Sequence, residues 1–138
     1  MIRILRVAGP AAVLLAATGL LAPATASATG NEGPQCVNAL IASNNAEGSA
    51  IGSDEESNPS AAAADNATAA GSLFTAEQTC YYTPSYTAYQ DVVQATVDNG
   101  NAKTANSAGS TSAALSDEDA ASSLINAAMT IEMGYGYL

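Results

Sequence analysis

Thr83-Pro84-Ser85-Tyr86-Thr87-Ala88-Tyr89-Gln90-Asp91-Val92-Val93-Gln94-Ala95-Thr96-Val97-Asp98-Asn99-Gly100, residues 83–100, is the stretch on which the fold class turns. Thr83 stands where a side-chain oxygen can cap free helix amides, and Pro84 suits a first helical position because its missing N–H would have had no partner there. Tyr86, Tyr89, Val93 and Val97 then recur three, four and four residues apart, a stripe along one helix face that Asn99-Gly100 terminates. The expectation is a helix whose core contacts come from that stripe, with Tyr86 and Tyr89 supplying packing.

Toward the C-terminus, residues 100–116 are almost wholly Asn, Ala, Ser, Thr and Gly and read as a flexible linker. Ser116-Asp117-Glu118-Asp119 resembles a capping box that opens a further helix, with Ala121, Leu124, Ile125, Ala128 and Met129 as its apolar face and Gly134 as its end. Toward the N-terminus, residues 72–82 divide between a helical turn around Leu73-Phe74 and an extended preference over Thr79–Thr83. Asn58-Pro59 can cap and begin a helix over 61–70, and residues 48–59 read as an acidic loop. Val37, Leu40 and Ile41 mark a helix beginning at Cys36. The sum is an all-α chain, a small loose bundle of three or four short helices with polar loops and partly disordered segments. No internal repeat of convincing period stands out.

Residues 1–28 have the layout of a secretory signal peptide: Arg3 and Arg6, an apolar run from Val7 to Leu21, and small residues from Ala24 to Ala28. Cleavage after Ala28 would leave a single small domain, residues 29–138, secreted to the extracellular space. No lipobox precedes Cys36 and no sorting signal is seen, so a released product without a membrane anchor is expected. That domain keeps all 13 acidic residues against one base, Lys103, a net charge of 1 − 13 = −12. A chain with one cation cannot neutralise phosphates, so nucleic acid is not expected as a partner and adsorption to anionic lipid is disfavoured, leaving neutral or basic partners.

The 48% hydrophobic content is carried largely by alanine and the leader. Leu, Ile, Val and Phe make up only about 13% of residues 29–138, below the roughly 20% under which a charged chain struggles to fold. A covalent brace therefore matters. Cys36 and Cys80, the only cysteines, are expected to form one disulfide, worth about 4 kcal/mol for a loop of this length.

There is no histidine, which removes the commonest general base, the commonest metal ligand and every Ser-His or Cys-His nucleophile. Most hydrolase mechanisms are thereby excluded, and a carboxylate pair remains as a possible acid and base. The acid runs Asp54-Glu55-Glu56 and Asp117-Glu118-Asp119 are candidate calcium ligands, but contiguous acids point in different directions, so they read as a solvated loop and a helix start. No metal and no cofactor are expected. Asn66-Ala67-Thr68 fits a glycosylation sequon.

The tyrosines carry the functional expectation. Tyr81, Tyr82, Tyr86 and Tyr89 gather around the best-defined helix start, and Tyr135 and Tyr137 lie near the C-terminus. Tyrosine brings large contact area and a hydrogen-bonding tip at little rotamer cost, as binding surfaces require. The sequence thus points to a secreted acidic protein without catalytic activity, contacting an extracellular protein or cell-surface component through Tyr81, Tyr82, Tyr86 and Tyr89. The alternatives are a secreted enzyme inhibitor presenting a disulfide-braced loop around Cys80–Pro84, and a carboxylate-based hydrolase.

Overall fold

Ser85, not Thr83, caps the helix of residues 83–100: its hydroxyl accepts from the Ala88 amide at 3.1 Å, and the helix runs from Tyr86 to Ser107. The structure is a computed structural model that describes residues 31–137; the leader and its cleavage site lie outside the described residues. It contains four long helices, α1 (Glu32–Glu55), α2 (Pro59–Cys80), α3 (Tyr86–Ser107) and α4 (Thr111–Gly134). The connections 56–58, 81–85 and 108–110 are short enough to force each helix back against its predecessor, and α1 also packs on α4, closing a ring of four antiparallel helices. Among the described residues there is no strand, and no helix is long and apolar enough to cross a membrane.

Three sequence expectations are corrected here. The stretch 100–116 is no flexible linker: α3 continues to Ser107 and α4 begins at Thr111, leaving residues 108–110 between them. These form a tight reversal in which Ser110 N–H donates to the Ala105 carbonyl and Gly109 N–H to that of Asn106, both at 2.9 Å, with Gly109 at φ +74°. The acidic loop 48–59 is mostly helix, α1 extending to Glu55. The same reversal recurs there, with Ser57 at φ +59° taking the place that Gly109 holds after α3. Asn58 and Pro59 do begin α2 as expected, Asn58 accepting from the Ala61 amide, but the helix passes Gly71 and ends only at Cys80.

The core rests on a heptad pattern that the large apolar residues conceal. In α2 the buried positions are Ala62, Asn66, Ala69, Leu73, Ala76 and Cys80; in α3, Ala88, Val92, Ala95, Asn99, Ala102 and Asn106; in α4, Ala114, Glu118, Ala121, Ile125, Ala128 and Glu132. The spacing is four, three, four, three, four each time, and α1 repeats it with Cys36, Leu40, Ser43, Glu47, Ala50 and Asp54. Cys36, Ala62, Ala88 and Ala114 open these seams at steps of 26 residues, so the chain is a fourfold structural repeat, contrary to the sequence reading. Every second seam position is small, nearly always alanine, which allows close approach of neighbouring helices. The expected stripe is not the core: Tyr86 is 68% exposed and Val97 52%, with Val93 also on the surface.

Cys36 and Cys80 form the expected disulfide, Cα atoms 4.9 Å apart, tying the start of α1 to the end of α2. With this register the interior divides in two. One half, around the disulfide, is apolar apart from the buried Glu132 and includes Leu40, Leu73, Val92 and Ile125. The other, toward the 56–58 and 108–110 turns, is filled by Glu47, Asp54, Asn66, Asn99, Asn106 and Glu118 between alanines.

Candidate functional site

Both ends of the bundle carry chemistry. At the disulfide end, the turn from α2 into α3 and the exit of α4 beside the start of α1 bring all six tyrosines to one end of the fold. Tyr81 meets Tyr82 edge-on at 5.2 Å between ring centres and Tyr89 edge-on at 5.3 Å, while Tyr86 leans on Tyr89 at 6.1 Å. Such offset and T-shaped contacts are the favoured ring arrangements. Tyr135 and Tyr137 make a second pair at 6.1 Å, and the Tyr137 ring covers Gly33 so closely that any side chain there would displace it. Tyr81, Tyr82, Tyr86 and Tyr135 remain exposed, with Met133 beside them. Tyr89 is the anchor of the cluster; burial chiefly, then Glu77, Tyr81 and Tyr86, pushes its phenol above the usual range.

The sequence-derived set Tyr81, Tyr82, Tyr86 and Tyr89 is thus brought together as one surface, though Tyr86 belongs to its exposed face and not to the core. Beneath it the turn is tied down: the Thr83 hydroxyl lies 2.8 Å from the Cys80 carbonyl and 2.6 Å from Glu132 Oε1. Burial raises the Glu132 carboxyl above the usual range, opposed by that hydroxyl. An open groove of ≈ 510 Å³ adjoins the cluster, lined by Tyr86, Tyr89, Gln90, Asp91, Val93, Gln94 and Leu124. Its one carboxylate is Asp91, raised by partial burial. A second groove, of ≈ 360 Å³ between α1 and α2, is lined by Gln35, Asn38, Ala39, Ala42, Ser72 and Thr75 and has none.

At the opposite end the seam itself is polar. Glu118 Oε1 accepts from Asn66 Nδ2 at 2.9 Å and from Asn106 Nδ2 at 3.0 Å, and Asn99 Nδ2 donates to the Asn66 carbonyl at 3.1 Å. Each of the three amide nitrogens donates once to a protein acceptor. What remains is oxygen: both of Glu47, both of Asp54, Oδ1 of Asn66, Asn99 and Asn106, and Oε2 of Glu118 are buried without a hydrogen-bond partner. Burial and the neighbouring Glu118 push the Glu47 carboxyl up to about 8. Burial also raises Glu118, with Asp54 and Asp119 adding to the rise and its two amide donors opposing it. Among the described residues no three acids form a metal-binding group by themselves.

Sequence reasoning missed this interior. It placed Asp54 in a solvated loop and Glu118 at a helix start, and one acid from each run is turned inward by the heptad. The signal was the 26-residue step, on which Asn66, Glu118 and their helical equivalents fall at seam positions. The sequon is likewise explained: the Asn66 side chain is fully buried and hydrogen-bonded, so the folded chain does not present it for glycosylation. No family model, curated protein or solved structure matches the chain.

Proposed function

We propose that the chain is a secreted, non-catalytic protein that acts through extracellular contacts made by its tyrosine-bearing end, with a neutral or basic protein or cell-surface component as partner. The observation that carries this reading is the gathering of Tyr81, Tyr82, Tyr86 and Tyr89 into one interlocked, largely exposed cluster directly over the Cys36–Cys80 bridge. A surface already ordered before contact loses little entropy on binding, and aromatic anchors dominate interface energies. The acidic surface favours basic partners and speeds their approach. Neither groove pairs two carboxylates, which removes the arrangement a carboxylate hydrolase would need there. The inhibitor alternative draws on the same turn; the ties of Thr83 to Cys80 and Glu132 make that turn compact instead of protruding.

The test is capture from the medium in which the protein is released, with the full chain as bait and the Tyr81→Ala/Tyr82→Ala double variant in parallel. Loss of a captured partner with helix content unchanged supports the reading. Equal capture by the double variant, with binding abolished instead by neutralising Glu55 and Glu56, refutes it.

A further inference from the structure

We infer that the oxygen-rich half of the bundle, where Glu47, Asp54 and Glu118 share the interior with Asn66, Asn99 and Asn106, is a binding site for a hard divalent cation of the calcium class. The argument is one of donors and acceptors. Each of the three amides donates one N–H to a protein oxygen, which fixes its orientation and leaves its Oδ1 without a partner. Together with the carboxylates, eight buried oxygens are left with lone pairs and no donor. No base is at hand to serve them: the chain's described residues include only Lys103, on the surface of α3.

A surplus of oxygen lone pairs is what a hard cation satisfies. Calcium takes 6–8 oxygens from carboxylates and amide carbonyls in flexible geometry, whereas magnesium demands a rigid octahedron and keeps several waters. Softer metals find nothing here, since there is no histidine and both cysteines are in the disulfide. The acids alone do not make a ligand group, so the amide oxygens are part of the set. The two amide donors on Glu118 Oε1 act as outer-shell bonds that hold the carboxylate with its Oε2 free. Asp54 lies in the last turn of α1, next to the 56–58 turn.

The experiment is calorimetric titration of the chelator-treated full chain with calcium chloride and, separately, magnesium chloride at pH 7, in two buffers of different ionisation enthalpy. Expected are one calcium ion per chain, protons released on binding because a raised carboxyl must ionise, and magnesium at least tenfold weaker. At about 100 times the dissociation constant the melting temperature should rise by about 10 °C. Glu118→Gln should weaken calcium at least tenfold, while Glu55→Gln/Glu56→Gln, on the exposed side of the acid run that contains Asp54, should leave it unchanged. If Glu118→Gln does not fold, Asn99→Ala, which removes one carbonyl and leaves the Glu118 hydrogen bonds intact, makes the same comparison. No uptake of either ion at about 10 mM, magnesium as tight as calcium, undiminished uptake by the interior variant that folds, or loss of uptake in Glu55→Gln/Glu56→Gln would overturn the inference.

Discussion

Removing the carboxylate of Glu47 should make the metal-free protein more stable, by an amount that depends on pH. Glu47 is fully buried, its oxygens have no donor, and its carboxyl is raised from 4.5 to about 8 by burial and Glu118. The other charged groups turned into this half are Asp54 on α1 and Glu118 on α4, both acids, while α2 and α3 supply neutral asparagines. The folded state therefore holds a proton that the unfolded chain releases near 4.5. Stability from this group is fully present below 4.5, falls as pH rises through the window to 8, and is flat above it. One pH unit of difference is worth about 1.4 kcal/mol, so ionisation of Glu47 costs about 3 kcal/mol at pH 7. Glu47→Gln keeps the shape and removes that cost. In the presence of chelator it should gain about 1–3 kcal/mol at pH 7 and nothing at pH 4, read as urea midpoints with unchanged slope. A gain of equal size at both pH values would refute the linkage argument, as would a wild type more stable at pH 8 than at pH 5.

Three further outcomes are expected. Non-reducing peptide mapping should show the Cys36 and Cys80 peptides linked, and Cys36→Ala/Cys80→Ala should lose about 2–4 kcal/mol in chemical denaturation. Ser57→Gly should stabilise by about 0.5 kcal/mol, because relief of the left-handed conformation at φ +59° exceeds the added chain entropy; destabilisation in the same assay would count against that turn. Tyr86→Ala should leave helix content nearly unchanged, since its ring is 68% exposed, whereas Tyr89→Ala should lower the melting temperature by several degrees; the reverse order in circular dichroism melts would restore Tyr86 to the core.

The helical class, the Asn58-Pro59 helix start, the disulfide and the apolar face Ala121-Ile125-Ala128 were legible because each rests on a local rule: a cap, a cysteine count, a run at helical spacing. The linker and the acidic loop were misread because Ser, Asn, Thr and Gly signal turns only when nothing packs against them. In α3 and α1 a buried seam does, through Ala102 and Asn106 and through Ala50 and Asp54. The stripe of residues 83–100 misled for the opposite reason. Its large side chains lie on the surface, and the seam beside them consists of Ala88, Val92, Ala95 and Asn99, three of which carry little or no hydrophobic signal. A core built from alanine, asparagine and glutamate is visible only as a period, not as hydrophobicity. The tyrosine cluster, by contrast, was legible as a group because its members are close in sequence, and the fold adds the ring contacts.

The division of the bundle into a half that is apolar apart from Glu132 and a half of buried acids and amides is the claim on which the account depends, and carboxyl-carbon NMR tests it without perturbing the fold. In metal-free protein a side-chain carboxyl resonance should titrate with a midpoint near 8 and vanish in Glu47→Gln. A spectrum in which every carboxyl carbon titrates within the ordinary range near 4 would place Glu47 in water and contradict it.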